Sequence, residues 1–486
     1  MKTENRFYIR ILSPVHVGCD EVYEPMGFIV DENSCTLTAF DPLDFFRLLN
    51  PQDKDRYAAV SRKGTIVSLL EFYGLMKGKR FQGHDVKMSQ GLVDHYRQTL
   101  SMKPSEGNSR KVQQELNNFS IARTAFNEHD NLPYIPGSAI KGSLRTAYLN
   151  HLAAGKSVNY DPRDRSASQT LEKQLLQYDK LEKDPFRLLK VSDFMPVQAT
   201  TRIVYAVNEK KNISNKPARG PYQILEVIEP GAVFTGTITV EERYAKETRI
   251  AQPLTSAVLF KSAGDFYTPE MKREKDELRA AELPVPETID PDGGWPLRIG
   301  RHAGAESVTI EGHRNIKIMQ GRDKPAIFSK TGATTFWLAS ESRNNDERER
   351  LQPFGWAALG RMTEAMNAAF EKTQTEEHRS SNHDKPEPVV EPASEEILAV
   401  KETPPANETS DDAFVSFDAG GGGILRAMLQ DGKKVELRGR ERAYAIVAES
   451  LHKKLFEKPR NIPKARVTIR KVGNHYEIIQ VEAINQ

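Results

Sequence analysis

One acidic stretch divides this chain into two parts that must fold separately. Residues 371–412 hold 12 acidic and 4 basic side chains, are rich in Pro, Ser and Glu, and contain no aromatic residue. Such a segment buries too little apolar surface to offset the entropy that is lost on ordering. We therefore predict a flexible acidic linker over 371–412, which joins a globular region of residues 1–370 to a small module of residues 413–486.

The formal net charge of +2 conceals an uneven distribution of charge along the chain. The linker carries −8, residues 413–486 carry +6, and residues 1–370 therefore carry +4. Two basic parts suit a polyanionic partner, although a solubilising surface would give the same pattern.

Cysteine and histidine usage narrows the class of protein. Cys19 and Cys35 are the only cysteines, too few for a disulfide framework, so we expect a reducing cytoplasm. No HxxxH, CxxC or HExxH pattern occurs, and we therefore expect no metal and no other cofactor. No apolar run approaches the roughly 18 residues that cross a bilayer, and we expect no membrane partner.

Strands and helices alternate at irregular spacing with long polar insertions, which favours an α+β fold built from small split βαβ sheets. In the first predicted strand, Arg6–Leu12, apolar residues alternate with Arg6, Tyr8 and Arg10. That basic-aromatic-basic face suits nucleic acid or ordinary solvent equally. Residues 224–240 predict two strands joined at Pro230-Gly231 as a hairpin or bulged pair.

The end of the chain predicts a small basic α/β module. Lys434–Leu437, Ala465–Lys471 and Tyr476–Val481 have the pattern of strands, and Arg442–Phe456 that of a helix. Clustered Lys and Arg residues indicate a patch on this module that binds a polyanion. The alternative is a charged surface that only keeps the module soluble.

The segment Leu132–Tyr148, LPYIPGSAIKGSLRTAY, is the most informative in the chain. It predicts a helix over Ser138–His151 with one apolar stripe. Lys141 and Arg145 lie in the first two turns, where positive charge opposes the helix dipole. Free N–H groups, a glycine and two cations together favour a phosphate-binding site at the beginning of this helix. The alternative interpretation is a helix flank that is simply exposed to solvent.

Two later segments are rich in glycine and aromatic residues. Residues 293–304, GGWPLRIGRHAG, offer backbone N–H groups and the guanidinium groups of Arg298 and Arg301 to phosphates, or form a plain hairpin connection. This loop is neither a Walker nor a Rossmann sequence. In PFGWAALG, Phe354 and Trp356 could stack on bases or belong to the core.

Four segments occur in a fixed order: SPVHVG after the first strand, YIPGSAIKGSLRTA, RIGRHAG, and PFGWAALG. Over about residues 6–362 this order resembles the RAMP superfamily of CRISPR proteins. Within the superfamily, the pattern is similar to the subunits that end the filament of type III-A (Csm) effector complexes, where the 3′ part of the guide RNA lies. The linker and residues 413–486 fall outside the family pattern.

The resemblance implies tandem ferredoxin-like (RRM-like) domains with insertions, in two halves that meet near residues 190–225. It implies a non-catalytic subunit that binds guide RNA, packs against neighbouring backbone subunits, meets target RNA, and affects guide maturation. The RNA-binding positions, including two that the aromatic segment adds, are His16, Gly18, Pro136, Gly137, Ser138, Lys141, Gly142, Arg145, Arg298, Gly300, Arg301, Gly304, Phe354 and Trp356.

Two other hypotheses remain open at this point. The first is a metal-independent ribonuclease that cuts repeat RNA by acid-base chemistry, with His16, Tyr8 and Lys141 as candidates. A metal-dependent variant would use a loop aspartate such as Asp31 or Asp41. The second is an interaction protein whose residues 413–486 recruit another factor, for example a nuclease that trims the guide.

Overall fold

The fold is taken from a computed structural model of the chain, which forms two compact units, residues 1–385 and 386–486. The structure describes residues 5–65, 67–79, 81–102, 109–213, 218, 220–242, 250–252, 254–286, 290–320, 324–344, 348–368, 407–418, 424–430, 433–457, 461–472 and 475–483. Within these ranges, every helix is too short or too polar to span a bilayer.

The first unit contains two main β-sheets whose strands alternate along the chain. The first sheet has six strands: β1 (Arg6–Ile11), β7 (Leu189–Val191), β8 (Met195–Gln198), β11 (Val233–Val240), β12 (Trp295–Arg298) and β17 (Trp356–Arg361). The second sheet has nine: β2 (Gly18–Val22), β3 (Phe28–Asp31), β4 (Thr36–Ala39), β5 (His84–Met88), β6 (Ile121–Thr124), β9 (Thr201–Lys210), β10 (Gln223–Ile228), β15 (Thr335–Ser340) and β16 (Gln352–Pro353).

Among the described residues of this unit, the other elements are helices and a short ribbon. The ribbon pairs β13 (Ile316–Ile318) with β14 (Ile327–Ser329). The α-helices are α1 (Pro42–Leu48), α2 (Pro51–Lys63), α3 (Ser68–Met76), α4 (Gln90–Leu100), α5 (Ser109–Asn118), α6 (Gly137–Ala153), α7 (Ala167–Leu176) and α8 (Ser256–Ala280). Short 3₁₀ turns lie at Leu181–Lys183, Pro185–Leu188, Glu306–Val308 and Arg348–Arg350.

The first sheet has ferredoxin-like topology. Along the chain its elements run β1, α6, β7 with β8, β11, α8 and β17, which is a β-α-β-β-α-β order. In space the order is β12-β17-β1-β11-β7, with every pair antiparallel, and β8 pairs with the other end of β11. The predicted α+β class with a ferredoxin-like domain is therefore confirmed.

The predicted division near residues 190–225 does not match this topology. Strand β1 pairs along both edges, with β11 and with β17, so the first and last strands that the structure describes in this unit are neighbours. The predicted hairpin at Pro230-Gly231 is also wrong, because β10 belongs to the second sheet and β11 to the first. Residues 229–232 thus carry the chain from one sheet to the other.

The alternation in β1 and the stripe on α6 form one core, as predicted. Phe7, Ile9 and Ile11 are at most 1% exposed and pack in the same cluster as Ile140 and Leu144 of α6. Helix α8 is long enough to enter both cores, since its Phe266 belongs to the core of the first sheet and its Leu278 to that of the second. This shared helix ties the two sheets into one unit.

The second unit is a five-stranded sheet with its own core. Its elements are β18 (Asn407–Asp418), β19 (Ile424–Met428), β20 (Lys434–Arg438), the helices α9 (Arg440–Ile446) and α10 (Glu449–His452), a π-turn at Lys453–Glu457, β21 (Ile462–Val472) and β22 (His475–Ala483). Strand β18 begins inside the stretch 371–412 that is predicted as linker, and residues 371–406 of that stretch lie outside the described residues.

Candidate nucleic-acid interface

Three of the four predicted segments meet at one end of the first sheet. We call them the loop cluster: the turn Ser13–Gly18, the loop Ile299–Gly304 and the turn Pro353–Gly355. The backbone N–H of Ile299 donates to the Gly355 carbonyl at 2.9 Å, and that of Gly355 to the Pro14 carbonyl at 2.8 Å. Pro14 and Gly355, which are 341 residues apart in the chain, are thus joined backbone to backbone.

Glycine is required where the loops touch. Gly300 has a φ of +81°, and a Cβ there would lie 2.4 Å from the His16 carbonyl oxygen. The next residue, Arg301, donates its backbone N–H to that same oxygen at 2.8 Å. Two of the predicted segments therefore fit together only because position 300 has no side chain.

Arg301 is the cation that the loop cluster presents to solvent. Its guanidinium lies across Gly18, where a Cβ would come within 2.7 Å of Nε. Its Nη2 donates to Asp20 Oδ1 at 3.0 Å, and the two side chains are 52% and 92% exposed. An exposed pair of this kind contributes little to stability, so the guanidinium can exchange this carboxylate for a phosphate at small cost.

His16 lies inside the cluster and does not reach the surface. Its side chain is fully buried, and Nδ1 donates to the backbone carbonyl of Glu226 at 2.8 Å. Burial lowers the pKa of the imidazole, with a smaller contribution from Arg301. His16 therefore shapes the turn, and its predicted contact with RNA is wrong for the structure as folded.

His302 occupies the next position of the loop, at a φ of +61°. Its ring packs on Trp337 with centroids 4.5 Å apart, and Nε2 lies 3.2 Å from Gln223 Oε1. Burial, followed by the nearby His16 and Arg301, lowers the pKa of His302 to about 4. The imidazole is therefore neutral near pH 7 and adds no positive charge to the loop.

Arg298 and the two aromatic residues predicted for base stacking belong to the core. Arg298 is 4% exposed, Phe354 is fully buried and Trp356 is 1% exposed. The Arg298 guanidinium lies 4.4 Å from the Trp356 ring and is paired with Glu274 of α8. The predicted contacts of these three residues with RNA are therefore wrong, because none of them has a face open to a ligand.

Helix α6 begins where predicted, but its first turn already has an anionic partner. The backbone N–H of Gly137 donates to Asp193 Oδ1 at 2.8 Å. A Cβ at Gly137 would lie 2.5 Å from the Val191 carbonyl oxygen, so this glycine permits close packing against β7. Ser138 is exposed and remains a predicted contact, as does Pro136 at the N-cap.

The two cations of α6 differ in their surroundings. Arg145 is 19% exposed and is paired with both Glu172 and Asp184. Its charge is compensated inside the protein, so the structure gives it a packing role rather than the predicted phosphate contact. Lys141 is half-buried and donates from Nζ to the Leu189 carbonyl at 2.9 Å, and its contact with RNA remains a prediction.

A short line of backbone hydrogen bonds links the loop cluster to α6. Ala125 donates to the Val17 carbonyl at 2.7 Å, and Tyr134 donates to the Ala125 carbonyl at 3.0 Å. Tyr134 precedes the N-cap of α6 by two residues. The exposed parts of the two predicted sites, around Gly18 and around Ser138, thus flank one extended segment.

The residues proposed for cleavage have structural contacts instead. Asp41 caps α1 by accepting from the backbone N–H groups of Leu43 and Asp44, and Asp31 accepts from those of Asn33 and Ser34. The part of the chain that is described holds no group of three or more His, Cys, Asp or Glu side chains placed to bind a metal ion.

Comparison with known proteins decides the family. The model of the RAMP superfamily matches residues 8–275, which is more than half of the chain. The chain belongs to the RAMP superfamily. This RAMP match includes the turn Ser13–Gly18 and helix α6, whereas the loop Ile299–Gly304 and the turn Pro353–Gly355 lie beyond it.

One curated relative of this RAMP protein is the CRISPR system Cms protein Csm5 of Methanocaldococcus jannaschii. The two are 24% identical over 249 residues, which is 49% of this chain and 52% of the relative. The chain thus spans about half the length of the curated relative that it matches.

Two solved structures are also similar to this RAMP protein. A chain of a type III-A Csm–crRNA–target RNA ternary complex is 16% identical with a TM-score of 0.45, over 74% of this chain and 100% of that chain. Csm5 of T. onnurineus is 16% identical with a TM-score of 0.44, over 72% and 99% of the two chains.

Sequence reasoning missed one cation beside the loop cluster. Arg123 on β6 lies 3.3 Å from the centroid of Phe126 and 4.7 Å from that of Tyr23, and Nη2 donates to Asn131. It is partly exposed and belongs to the strand that pairs with Gly18. The sequence of Ile121–Thr124 does not predict this site. One of the two rings that hold Arg123, that of Tyr23, lies 100 residues earlier in the chain.

Proposed function

We propose that this RAMP protein is a non-catalytic, RNA-binding subunit of a type III-A Csm effector complex. It holds the 3′ region of the guide RNA against the loop cluster and the beginning of α6, and it ends the filament of backbone subunits. Guide RNA and neighbouring RAMP subunits are its partners, and target RNA lies beside the guide. Ending the filament would set the length to which the guide is trimmed.

One observation carries the proposal: the exposed Arg301 guanidinium lies over Gly18, at the junction of loops that are rich in glycine. A backbone strand of RNA requires cations, backbone N–H groups and room for close approach, and does not require a catalytic cluster. Lys141, Arg123 and Ser138 extend this surface away from the loop cluster. Family membership and the Csm5 relative support the same role.

The test compares two exposed arginines that each pair with an exposed aspartate. Arg301 pairs with Asp20, and the matched control Arg47 pairs with Asp44 on α1 at 2.8 Å. Effector complexes would be purified from cells carrying either Arg301→Glu or Arg47→Glu, and the guide RNA retained per complex measured at rising salt. We expect Arg301→Glu to reduce guide retention about tenfold and to shift the 3′-end distribution, because a charge-assisted phosphate contact is replaced by repulsion.

Equal retention by the two variants would overturn the proposal. The ribonuclease alternative is tested separately by incubating the purified chain with repeat RNA in EDTA. We expect no cleavage, since the imidazole of His16 is buried with Nδ1 bonded to Glu226. Cleavage that is lost in a His16→Asn variant would establish the alternative instead.

A further inference from the structure

The second unit has the strand order of a nucleic-acid-binding barrel, which its sequence did not indicate. Strand β18 pairs with β19 on one edge and with β21 on the other, while β20 pairs with β19 and β22 with β21. The order is therefore β20-β19-β18-β21-β22. The outer strands β20 and β22 lie against each other, so the sheet curls towards closure.

The helices occupy the one long connection of this sheet, between the third and fourth strands. Immediately after α9, Val447 forms a parallel bridge to Val481 of β22, which fastens the connection to the fifth strand. Five strands in this order, with a helix between the third and fourth, form the partly open Greek-key barrel called the OB-fold. Fold alone does not establish function, so a binding role depends on the side chains at the surface of the barrel.

OB-folds bind oligonucleotides on the face of their second and third strands, which are β19 and β20 here. Inward residues of this face, such as Leu425 and Val435, belong to the core. Outward residues include Met428, which is 44% exposed, and the partly exposed Ile424. Strand β18 adds the partly exposed ring of Phe414, directly paired with Met428.

Basic residues hold the register positions opposite these apolar residues. Lys434 is the partner of Met428 in the pairing of β19 with β20, and Arg438 is the partner of Ile424. Between them, Arg426 bridges the carboxylates of Glu436 and Asp418 on the two neighbouring strands. Apolar or aromatic positions interleaved with basic ones are what a single strand needs for base stacking and phosphate contact.

The other side of the barrel is electrically balanced. On β21, Lys464 pairs with Asp412 at 3.2 Å, and Arg466 pairs with Asp411 at 2.5 Å. The acidic residues at the beginning of β18 thus compensate these cations one by one. On the β18–β20 face Arg426 is compensated in the same way, and the register adds two further basic positions, Lys434 and Arg438, beside the apolar positions of β19.

We infer that the second unit is an OB-type module that binds single-stranded RNA on the outer face of β18, β19 and β20. This site is separate from the loop cluster and stands even if the loop cluster has another role. Its ligand is an unpaired strand, because stacking on Phe414, Met428 and Ile424 requires exposed base faces.

The experiment uses the full chain with Arg301→Glu, so that the loop cluster does not dominate binding. The probe is a fluorescent, unstructured 12-nucleotide oligouridine, and its affinity is measured by anisotropy at several salt concentrations. In this background, the double variant Lys434→Gln, Arg438→Gln should weaken binding about tenfold. It should also reduce the slope of log K against log salt concentration by about 1.4, which is the value for two phosphate contacts to a single strand. Met428→Ser should weaken binding without changing that slope.

The control is Lys464→Gln with Arg466→Gln, which removes the same charge from the balanced side and should change affinity less than twofold. Thermal unfolding of each variant shows that the barrel remains folded. Equal losses from the two double variants would mean diffuse electrostatic attraction, and this would overturn the assignment. Unchanged affinity in the β18–β20 variants would also overturn the assignment of RNA binding to this face. The face would then be a candidate for binding a protein partner.

Discussion

Glu274 of α8 and Arg298 at the end of β12 form a buried, bidentate ion pair, with N–O distances of 2.6 and 2.9 Å. The same carboxylate accepts the indole N–H of Trp356. Arg298 precedes the loop Ile299–Gly304, and Trp356 follows the turn Pro353–Gly355. One side chain of α8 therefore anchors two of the three segments of the loop cluster.

This pair predicts a large loss of stability when one partner is changed. Glu274→Gln leaves the Arg298 guanidinium buried without a counter-charge, which should lower the free energy of unfolding by about 3–5 kcal/mol. Urea denaturation would measure it. The control is Asp265→Asn, which breaks the exposed pair with Lys261 on the same helix and should cost less than about 1 kcal/mol. Similar losses in both variants would contradict the anchoring role.

Comparing alanine variants of Gly300 and Gly293 distinguishes the cost of a steric clash from the cost of a left-handed backbone. Gly300 and Gly293 have φ values of +81° and +78°, but a Cβ meets the His16 carbonyl only at position 300. Gly293→Ala should therefore cost about 1–2 kcal/mol, the penalty of the left-handed conformation for an L residue. Gly300→Ala should cost clearly more and should disturb the loop cluster. Equal thermal shifts would show that the close approach at Gly300 relaxes freely.

Gly142 offers a test in which stability and RNA binding move in opposite directions. It lies within α6, where a Cβ would meet no atom within 4 Å outside its own helix backbone, and Gly74 of α3 is equally open. Alanine at either position should stabilise the protein by about 0.5–1 kcal/mol. If RNA approaches the helix backbone at Gly142, only Gly142→Ala should reduce guide retention. Retention that is unchanged in both variants would remove Gly142 from the interface.

His302 predicts a dependence of stability on pH. Its folded pKa of about 4 lies below the ordinary value of about 6.5, so the unfolded chain binds the extra proton between these values. The contribution of His302 is fully present above about pH 6.5 and is lost as the pH falls towards 4. His302→Asn, which tolerates the positive φ, should flatten the unfolding profile over that window. His129→Asn, at an exposed position, is the control, and parallel profiles for His302→Asn and the parent would contradict the prediction.

Local patterns predicted the elements that depend on neighbours in sequence. The buried faces of β1 and α6 were predicted correctly. In β1 every second residue is apolar (Phe7, Ile9, Ile11), and in α6 apolar residues recur every four positions (Ile140, Leu144, Tyr148). These faces depend on backbone periodicity, which a short stretch of sequence contains in full.

The same patterns could not show which charges are already compensated. Arg145 is neutralised by Glu172 and Asp184, and the first turn of α6 is capped by Asp193, all of which follow the helix by many residues. Likewise, Trp356 lies in the core of the first sheet, where Glu274 of α8 accepts its indole N–H. Long-range pairing of this kind is decided by topology, and topology is not written in the local sequence.

The acidic composition of residues 371–412 also hid the first strand of the second unit. Residues 407–412, NETSDD, have the character of the linker, yet they form the beginning of β18. Their acidic side chains meet Arg466 and Lys464 across the sheet. The predicted module has one strand before its helix and two after it, without β18 and β19, so its prediction does not contain the strand order of the barrel.

The pairing of β1 with β17 also governs when this protein can fold during synthesis. Arg6 and Arg361 stand in neighbouring strands, and the backbone N–H of Met362 donates to the Arg6 carbonyl. Since β1 is translated before β17, this edge of β1 must wait until about 350 further residues have been translated. During that wait the edge of β1 that faces β17 is unpaired, and an unpaired strand edge is a template for pairing with another chain.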